Sequence, residues 1–296
     1  MPRSEPRACR CLRARRGPRA HSANHGFTLI EAVMVLAITG VLAAVVAQFI
    51  VRPVQGYLGT VARAGLTDQA DLALRRIGRD LRQALPNSVR VNSAGTGMEL
   101  IPTSGGARYA TDGSGALQFG AVDTSFDLIG PPLLLGAAQE LVFYNLGTGI
   151  TGSDAYASNG TAAAAADSNR RTSSNAAGTA NTINLISSAG LPVAANAAPF
   201  RVMAVSAPVT YRCDLAAGTL TRYQNYGFQA TQPDPPSGGS PALLATGVSD
   251  CRFSVDSSLV ATRSALVNLR LALATTTSGG TETVTLQHAV FVSNLP

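Results

Sequence analysis

The chain has 296 residues with 23 arginines, no lysine, 17 acids and a formal charge of +6. That charge is uneven: residues 1–26 hold seven arginines and one acid, so residues 27–296 hold 16 of each and lack the broad positive field of a nucleic-acid binder. Without lysine there is no P-loop lysine and no Schiff-base lysine, and the one histidine and two cysteines beyond residue 26 form no zinc-ligand set, so composition argues against an enzyme and calls for no cofactor or metal.

In chain order, a basic leader (Arg3, Arg7, Arg10, Arg13, Arg15, Arg16 and Arg19 against Glu5) ends in Gly26-Phe27-Thr28-Leu29-Ile30-Glu31. From Ala32 to Val51 there are 20 residues without a charge. At about 1.5 Å per residue, a helix of that length covers the ~30 Å hydrocarbon core of a bilayer. Glu31, near the start of the run, is costly in lipid and calls for a partner or a function. The arginine excess on the amino-terminal side predicts a cytoplasmic N-terminus and an exported remainder after about residue 52. A secretory signal peptide would carry its cleavage site after the apolar run, whereas Gly26-Phe27 precedes it.

A basic leader ending in Gly26, then Phe27, an apolar stretch carrying Glu31, and Gly40 within the run together resemble the type IV prepilins and pseudopilins. The resemblance implies cleavage between Gly26 and Phe27 by a prepilin peptidase and methylation of the new Phe27 amine. It also implies that Glu31 pairs with the Phe27 amine of a neighbouring subunit in a filament core. The partners it implies are other major and minor pilins and an inner-membrane assembly platform. Many pilins have a proline about halfway along this segment; here the first is Pro53, so the resemblance does not carry a mid-helix melting point over to this chain.

Past the membrane segment (residues 27–52), Arg52-Pro53 predicts a kink. Leu66, Ala70, Leu74, Ile77, Leu81 and Leu85 then fall on one helix face, which predicts an amphipathic helix over residues 53–85 stopped by Pro86. Asp71 with Arg75, and Arg76 with Asp80, stand four apart. The cluster Arg75, Arg76, Arg79 and Arg82 could bind an anionic polymer or a partner subunit, and also reads as a solvated face with internal ion pairs. In the resembling family both helical stretches form one long α-helix whose second half packs on a sheet.

From Ser88 the pattern changes to short runs rich in β-formers, among them residues 89–91, 98–101, 116–119 and 141–144, bounded by Gly, Asn, Asp or Pro. Residues 147–181 are rich in Gly, Ala, Ser, Thr and Asn and read as a long low-complexity surface loop or a partly disordered insertion, with room for a short helix through Ala162 to Ala166. Strands resume at residues 200–213 and 219–223, a Pro/Gly/Ser loop spans 233–241, and residues 251–255, 265–273 and 283–292 close the chain. The last two are separated by Ser278-Gly279-Gly280 and read as a terminal hairpin. Residues 86–296 are expected to form an exported β-rich domain, giving an α+β fold with either one antiparallel sheet or two small sheets sharing a core.

Cys9 and Cys11 fall in the leader. Cys213 and Cys251 remain as an even pair in an exported, oxidising compartment, which predicts a disulfide, with two buried free thiols as the alternative. His288 could serve a serine triad but sits in an alternating strand pattern and reads as a sheet-edge residue. Asp123 with Asp127, or Asp154 with Asp167, could hold calcium, yet no dense carboxylate spacing accompanies them.

The segments 52–58, 70–76, 85–90, 142–147 and 208–213 resemble minor pilins of the mannose-sensitive haemagglutinin (MSHA) type. A size of 270 residues after Gly26 suits a low-copy initiator or tip subunit better than a repeated shaft subunit. Two other readings stay open: a tip module that binds a surface glycan, envelope or DNA through residues 147–181 or 224–250, and a minor pseudopilin of type II secretion.

Overall fold

The computed structural model describes residues 26–157, 166–256 and 264–296. The leader arginines, Cys9 and Cys11, and most of the alanine run from Ala162 lie outside the described residues. The chain divides into two compact units, residues 1–53 and residues 54–296. Helix α1 (Leu29–Arg82) carries Pro53 inside it and continues past Arg52-Pro53. The predicted end at residue 85 also moves: α1 stops at Arg82 because the next residues are captured by the chain after the first hairpin. There Ala84 bridges to Pro102 and the Leu85 N–H donates to the Ile101 carbonyl at 2.7 Å.

Beyond α1 the regular structure of the described chain is β, apart from one short 3-10 helix at Val193–Ala195. Strands β1 (Arg90–Val91), β2 (Gly97–Leu100), β3 (Thr103–Tyr109), β4 (Ser125–Ile129) and β5 (Leu133–Leu135) are followed by β6 (Glu140–Phe143), β7 (Arg170–Ser173) and β8 (Gly178–Ala180). Then come β9 (Thr182–Ile186), β10 (Arg201–Val205), β11 (Val209–Asp214), β12 (Thr219–Gln224) and β13 (Ser240–Thr246). Strands β14 (Val248–Asp256), β15 (Ser264–Thr277) and β16 (Gly280–Ser293) end the chain, the last two as the predicted hairpin.

In the second unit, a five-stranded sheet in the order β1-β2-β11-β12-β13 and a three-stranded sheet β14-β15-β16 share one core with α1. The predicted helix face supplies Leu66, Ala70, Leu74, Ile77 and Leu81, joined by Ala73; all are buried against Met98, Leu100, Tyr211 and Leu220 on one sheet and Val267, Leu269, Leu271 and Val290 on the other. Each large aliphatic buried this way contributes roughly 1.5–3 kcal/mol. Gly78 permits the close approach of α1 to β16, since a Cβ there would stand 3.3 Å from His288 Nε2. The fold is therefore α+β, a long amino-terminal helix with its second half packed on antiparallel sheets.

Residues 101–208 form a module that no local pattern in the sequence marks. Strands β2 and β11 are direct neighbours, with Leu100 opposite Val209, so residues 101–208 leave and re-enter the five-stranded sheet at one place. Most of that excursion is a closed six-stranded barrel, β10-β3-β4-β9-β7-β6, with a separate pair β5-β8. Its interior holds Tyr109, Phe126 and Phe143 with Phe119 and Phe200 around them, ring centroids lying 5.8 to 6.4 Å apart and mostly edge to face. A third cluster, with Leu85, Ile101, Val142, Tyr156, Val205 and Phe228, forms the seam between barrel and helix-bearing body.

Two expectations are corrected here. Residues 116–119 form no strand, only a single bridge from Phe119 to Leu191. The described parts of 147–181 are only partly a surface loop: residues 148–151 are exposed, but Ala155 and Tyr156 are buried and β7 is a buried barrel strand in which Arg170 and Arg171 are 0% exposed. Composition misled because arginine can bury its aliphatic stem when its guanidinium is satisfied. Arg170 pairs with Glu140 at 3.0 Å and lies 3.6 Å over the Phe228 ring, while Arg171 donates to the carbonyls of Ser168, Ala189 and Gly190. Burial lowers the Arg170 pKa to about 10, and the neighbouring Glu140 carboxylate opposes that shift.

Candidate functional site

In the first unit Gly26, Phe27 and Thr28 precede the helix without regular structure, and α1 begins at Leu29. Thr28 is the cap: its carbonyl accepts the Ala32 N–H at 3.1 Å and its Oγ1 accepts the Glu31 N–H at 3.3 Å. The Thr28-x-x-Glu31 spacing is the sequence signal of such a start. Glu31 therefore sits in the first turn, where free backbone N–H groups and the helix dipole favour a negative charge. Its side chain is exposed and has no ion-pair partner among the described residues.

Every residue from 26 to 53 is exposed. Phe27 is 79% exposed and Phe49 76%, and large apolar side chains occupy all sides of the helix. The few polar groups are self-contained; the Thr39 hydroxyl, for example, donates to the Val35 carbonyl at 2.7 Å. A helix apolar all round and uncovered is at home in lipid or among other helices, because water cannot solvate such a surface cheaply. The segment thus presents an uncovered apolar rod with one carboxylate in its first turn and an aromatic residue, Phe27, immediately before its cap.

The second unit carries the other predicted residues. Cys213 on β11 and Cys251 on β14 are joined by a disulfide, with Cα atoms 6.3 Å apart, which ties the two sheets across the helix-bearing core. His288 lies on β16 over Gly78 and has no hydrogen-bonded serine or carboxylate among the described residues. The candidate calcium ligands serve backbone amides instead: Asp123 accepts from Gln118 and Ser125, and Asp154 accepts from Gly149 and Tyr156. Asp127 accepts from the Thr182 hydroxyl, and no group of three or more potential metal ligands occurs among the described residues.

Two charge nodes are buried, and of their contacts only the Arg76–Asp80 pair is marked by local spacing. Asp80 on α1 accepts from Tyr211 Oη at 2.6 Å and Arg222 Nε at 2.9 Å, and Arg76 stands 3.5 Å away. Burial, and then the hydrogen bond to Asp80, push the Tyr211 pKa upward, so the phenol remains a donor. Glu99 on β2 is fully buried, accepts from Arg90 Nε at 2.7 Å and Tyr226 Oη at 2.8 Å, and is held above the usual carboxylate range by burial against the pull of Arg90. Arg90 also donates to the carbonyls of Gln229 and Ala230 and lies 3.7 Å over Tyr156, so this node fastens the loop before β13. Both nodes hold the fold together rather than line an open cleft.

Residues 21–47 match the family model described as the prokaryotic N-terminal methylation motif. No curated protein and no solved structure matches the chain. The chain thus carries the leader motif of type IV pilins and pseudopilins, which are structural proteins processed by a prepilin peptidase and assembled with other pilins from the membrane. Together with the uncovered apolar helix, the motif supports a membrane-anchored, pilin-like protein.

Proposed function

We propose that the chain is a minor type IV pilin of the MSHA type, similar to MshO, which primes or caps assembly of a surface pilus used in adhesion. A prepilin peptidase removes residues 1–26 in the cytoplasm, and the Phe27 amine so exposed is methylated. The protein then stands in the inner membrane with residues beyond 52 in the periplasm until the assembly platform draws it into the filament. There the apolar rod leaves lipid for a core of other pilin helices, and Glu31 meets the Phe27 amine of a neighbour.

The observation that carries this reading is Glu31 in the first turn of a helix whose every side is apolar and uncovered. A carboxylate moved into an apolar core is tolerated only with a counter-charge, and a free amine four residues earlier on an adjacent subunit supplies one. The barrel of residues 103–205 favours a low-copy position, because so bulky an insertion is hard to repeat along a tightly packed shaft.

Glu31→Ala is expected to abolish incorporation into filaments while leaving the exported domain folded and its Cys213–Cys251 bond intact. Peptide mass spectrometry of sheared filaments and of membranes reads both, together with the methylated peptide beginning at Phe27. Normal incorporation of the variant would sink the charge pairing. Recovery of the peptide only with a secretion machine would transfer the same physics to a type II pseudopilin. Lost attachment with normal pilus number, on deletion of a barrel loop, would favour a tip adhesin.

A further inference from the structure

Strand β16 is the outer strand of its sheet, 14 residues long, and it pairs with β15 along its whole length without a bulge. Its other edge has no backbone partner among the described residues. Natural sheets usually blunt such an edge with lysine, proline, a bulge or a short strand, because unpaired N–H and C=O groups template another strand. Strand β16 has none of these devices, and its single acid, Glu282, is already paired with Arg63 at 3.1 Å.

The surface beside that edge is charged. A cleft of about 550 Å³ between α1 and β16 is lined by three arginines (Arg75, Arg79 and Arg82) and one acid, Asp71, on the helix together with Leu74, and by Leu286, Gln287 and His288 on the strand. On the helix, Gly78 turns toward His288 and Val290, and the arginines follow on the solvent side of that line. Arg75 is engaged by Asp71 at 2.6 Å, whereas Arg79 and Arg82 have no ion pair among the described residues.

We propose that the β16 edge accepts an extended segment of a partner protein as an added antiparallel or parallel strand, with acidic side chains at alternate positions facing the arginine row of α1. The spacing suits this. Arg75, Arg79 and Arg82 are about 6 and about 4.5 Å apart along the helix axis, and alternate residues of a strand are about 6.8 Å apart, a mismatch that long arginine side chains can bridge. Main-chain bonds to β16 would give affinity, and the alternate acids would give register and specificity. A second copy of this chain is the wrong occupant, because pairing β16 with β16 brings the same arginine rows together.

The test uses the full chain in detergent micelles and a short synthetic peptide alternating valine with glutamate; its counterpart with lysine in place of glutamate is the control. Amide hydrogen exchange read by mass spectrometry is expected to slow within residues 282–291 with the acidic peptide only. The double variant Arg79→Glu/Arg82→Glu, both side chains being exposed, is expected to weaken that binding by about tenfold or more without altering the unfolding curve. No slowing at millimolar acidic peptide, equal binding of the basic peptide, or affinity unchanged in the double variant would each overturn the proposal. Slowing that grows with protein concentration in the absence of peptide would overturn it in favour of self-pairing. Strand addition at β16 requires no filament, so either result leaves the Glu31 reading to its own experiment.

Discussion

At the residue scale, the informative groups are polar atoms taken out of water. Tyr109 is 1% exposed inside the barrel, and its hydroxyl has no hydrogen-bond partner among the described residues; burial pushes its pKa up to about 12. An unsatisfied buried hydroxyl costs stability that an isosteric ring without it does not. Tyr109→Phe is therefore expected to raise stability by about 1 kcal/mol, seen as a higher urea midpoint at unchanged slope. Glu99 behaves in the opposite sense. Its folded pKa lies above the unfolded value, so protonation favours the folded state, and its contribution is present at low pH and lost as pH rises through the folded pKa. Removing Arg90 takes away the group that pulls that pKa down. Arg90→Ala should thus destabilise by about 3–5 kcal/mol at neutral pH, and the difference from the parent chain should shrink as pH falls through the Glu99 titration. Paired unfolding curves across that range measure it; a difference independent of pH would contradict a charge effect.

At the element scale, α1 and the disulfide hold two sheets that share no strand pairing. Cys213 and Cys251 are separated by 38 positions, and the chain-entropy account gives their bond about 4 kcal/mol. The variant Cys213→Ala/Cys251→Ala is expected to lose roughly that much in chemical unfolding, with the helix signal intact in native buffer. The helix contributes in two chemically different ways along its length. Residues 66–81 bury an aliphatic stripe that sequence periodicity exposes directly. Asp80 lies within the same turn as that stripe but faces Tyr211 and Arg222, from strands more than a hundred residues away, and no local pattern reports such a partner.

At the scale of the whole molecule, the second unit is a helix-bearing body carrying an inserted barrel. Leu100 and Val209 are registered neighbours, so the two ends of the excursion are already at hairpin distance. Replacing residues 101–208 with a two-residue Asn-Gly turn should leave a chain that folds with its disulfide intact. Stability should fall, because Leu85 and Phe228 lose the cover that the seam gives them. Circular dichroism with disulfide mapping checks this, and an unfolded product would mean that barrel and body fold as one. The first unit has a different logic: its apolar surface is complete on every side, and its stability belongs to whatever covers it.

The amino-acid sequence by itself determined the features written in local periods and runs. These are the uncharged 20-residue stretch behind Glu31, the apolar face from Leu66 to Leu81, the terminal hairpin, and the even cysteine pair. Each follows from contacts or spacings within a few turns of chain, or from counting residues. Only the tertiary structure decided that β2 and β11 are neighbours, that the strands between them close into a barrel, and that Arg170 and Arg171 lie buried in a segment whose composition resembles a loop. The physical reason is common to all three. A strand's period tells which face is buried but not which strand it meets, and a buried charge is tolerated only by partners that arrive from distant sequence.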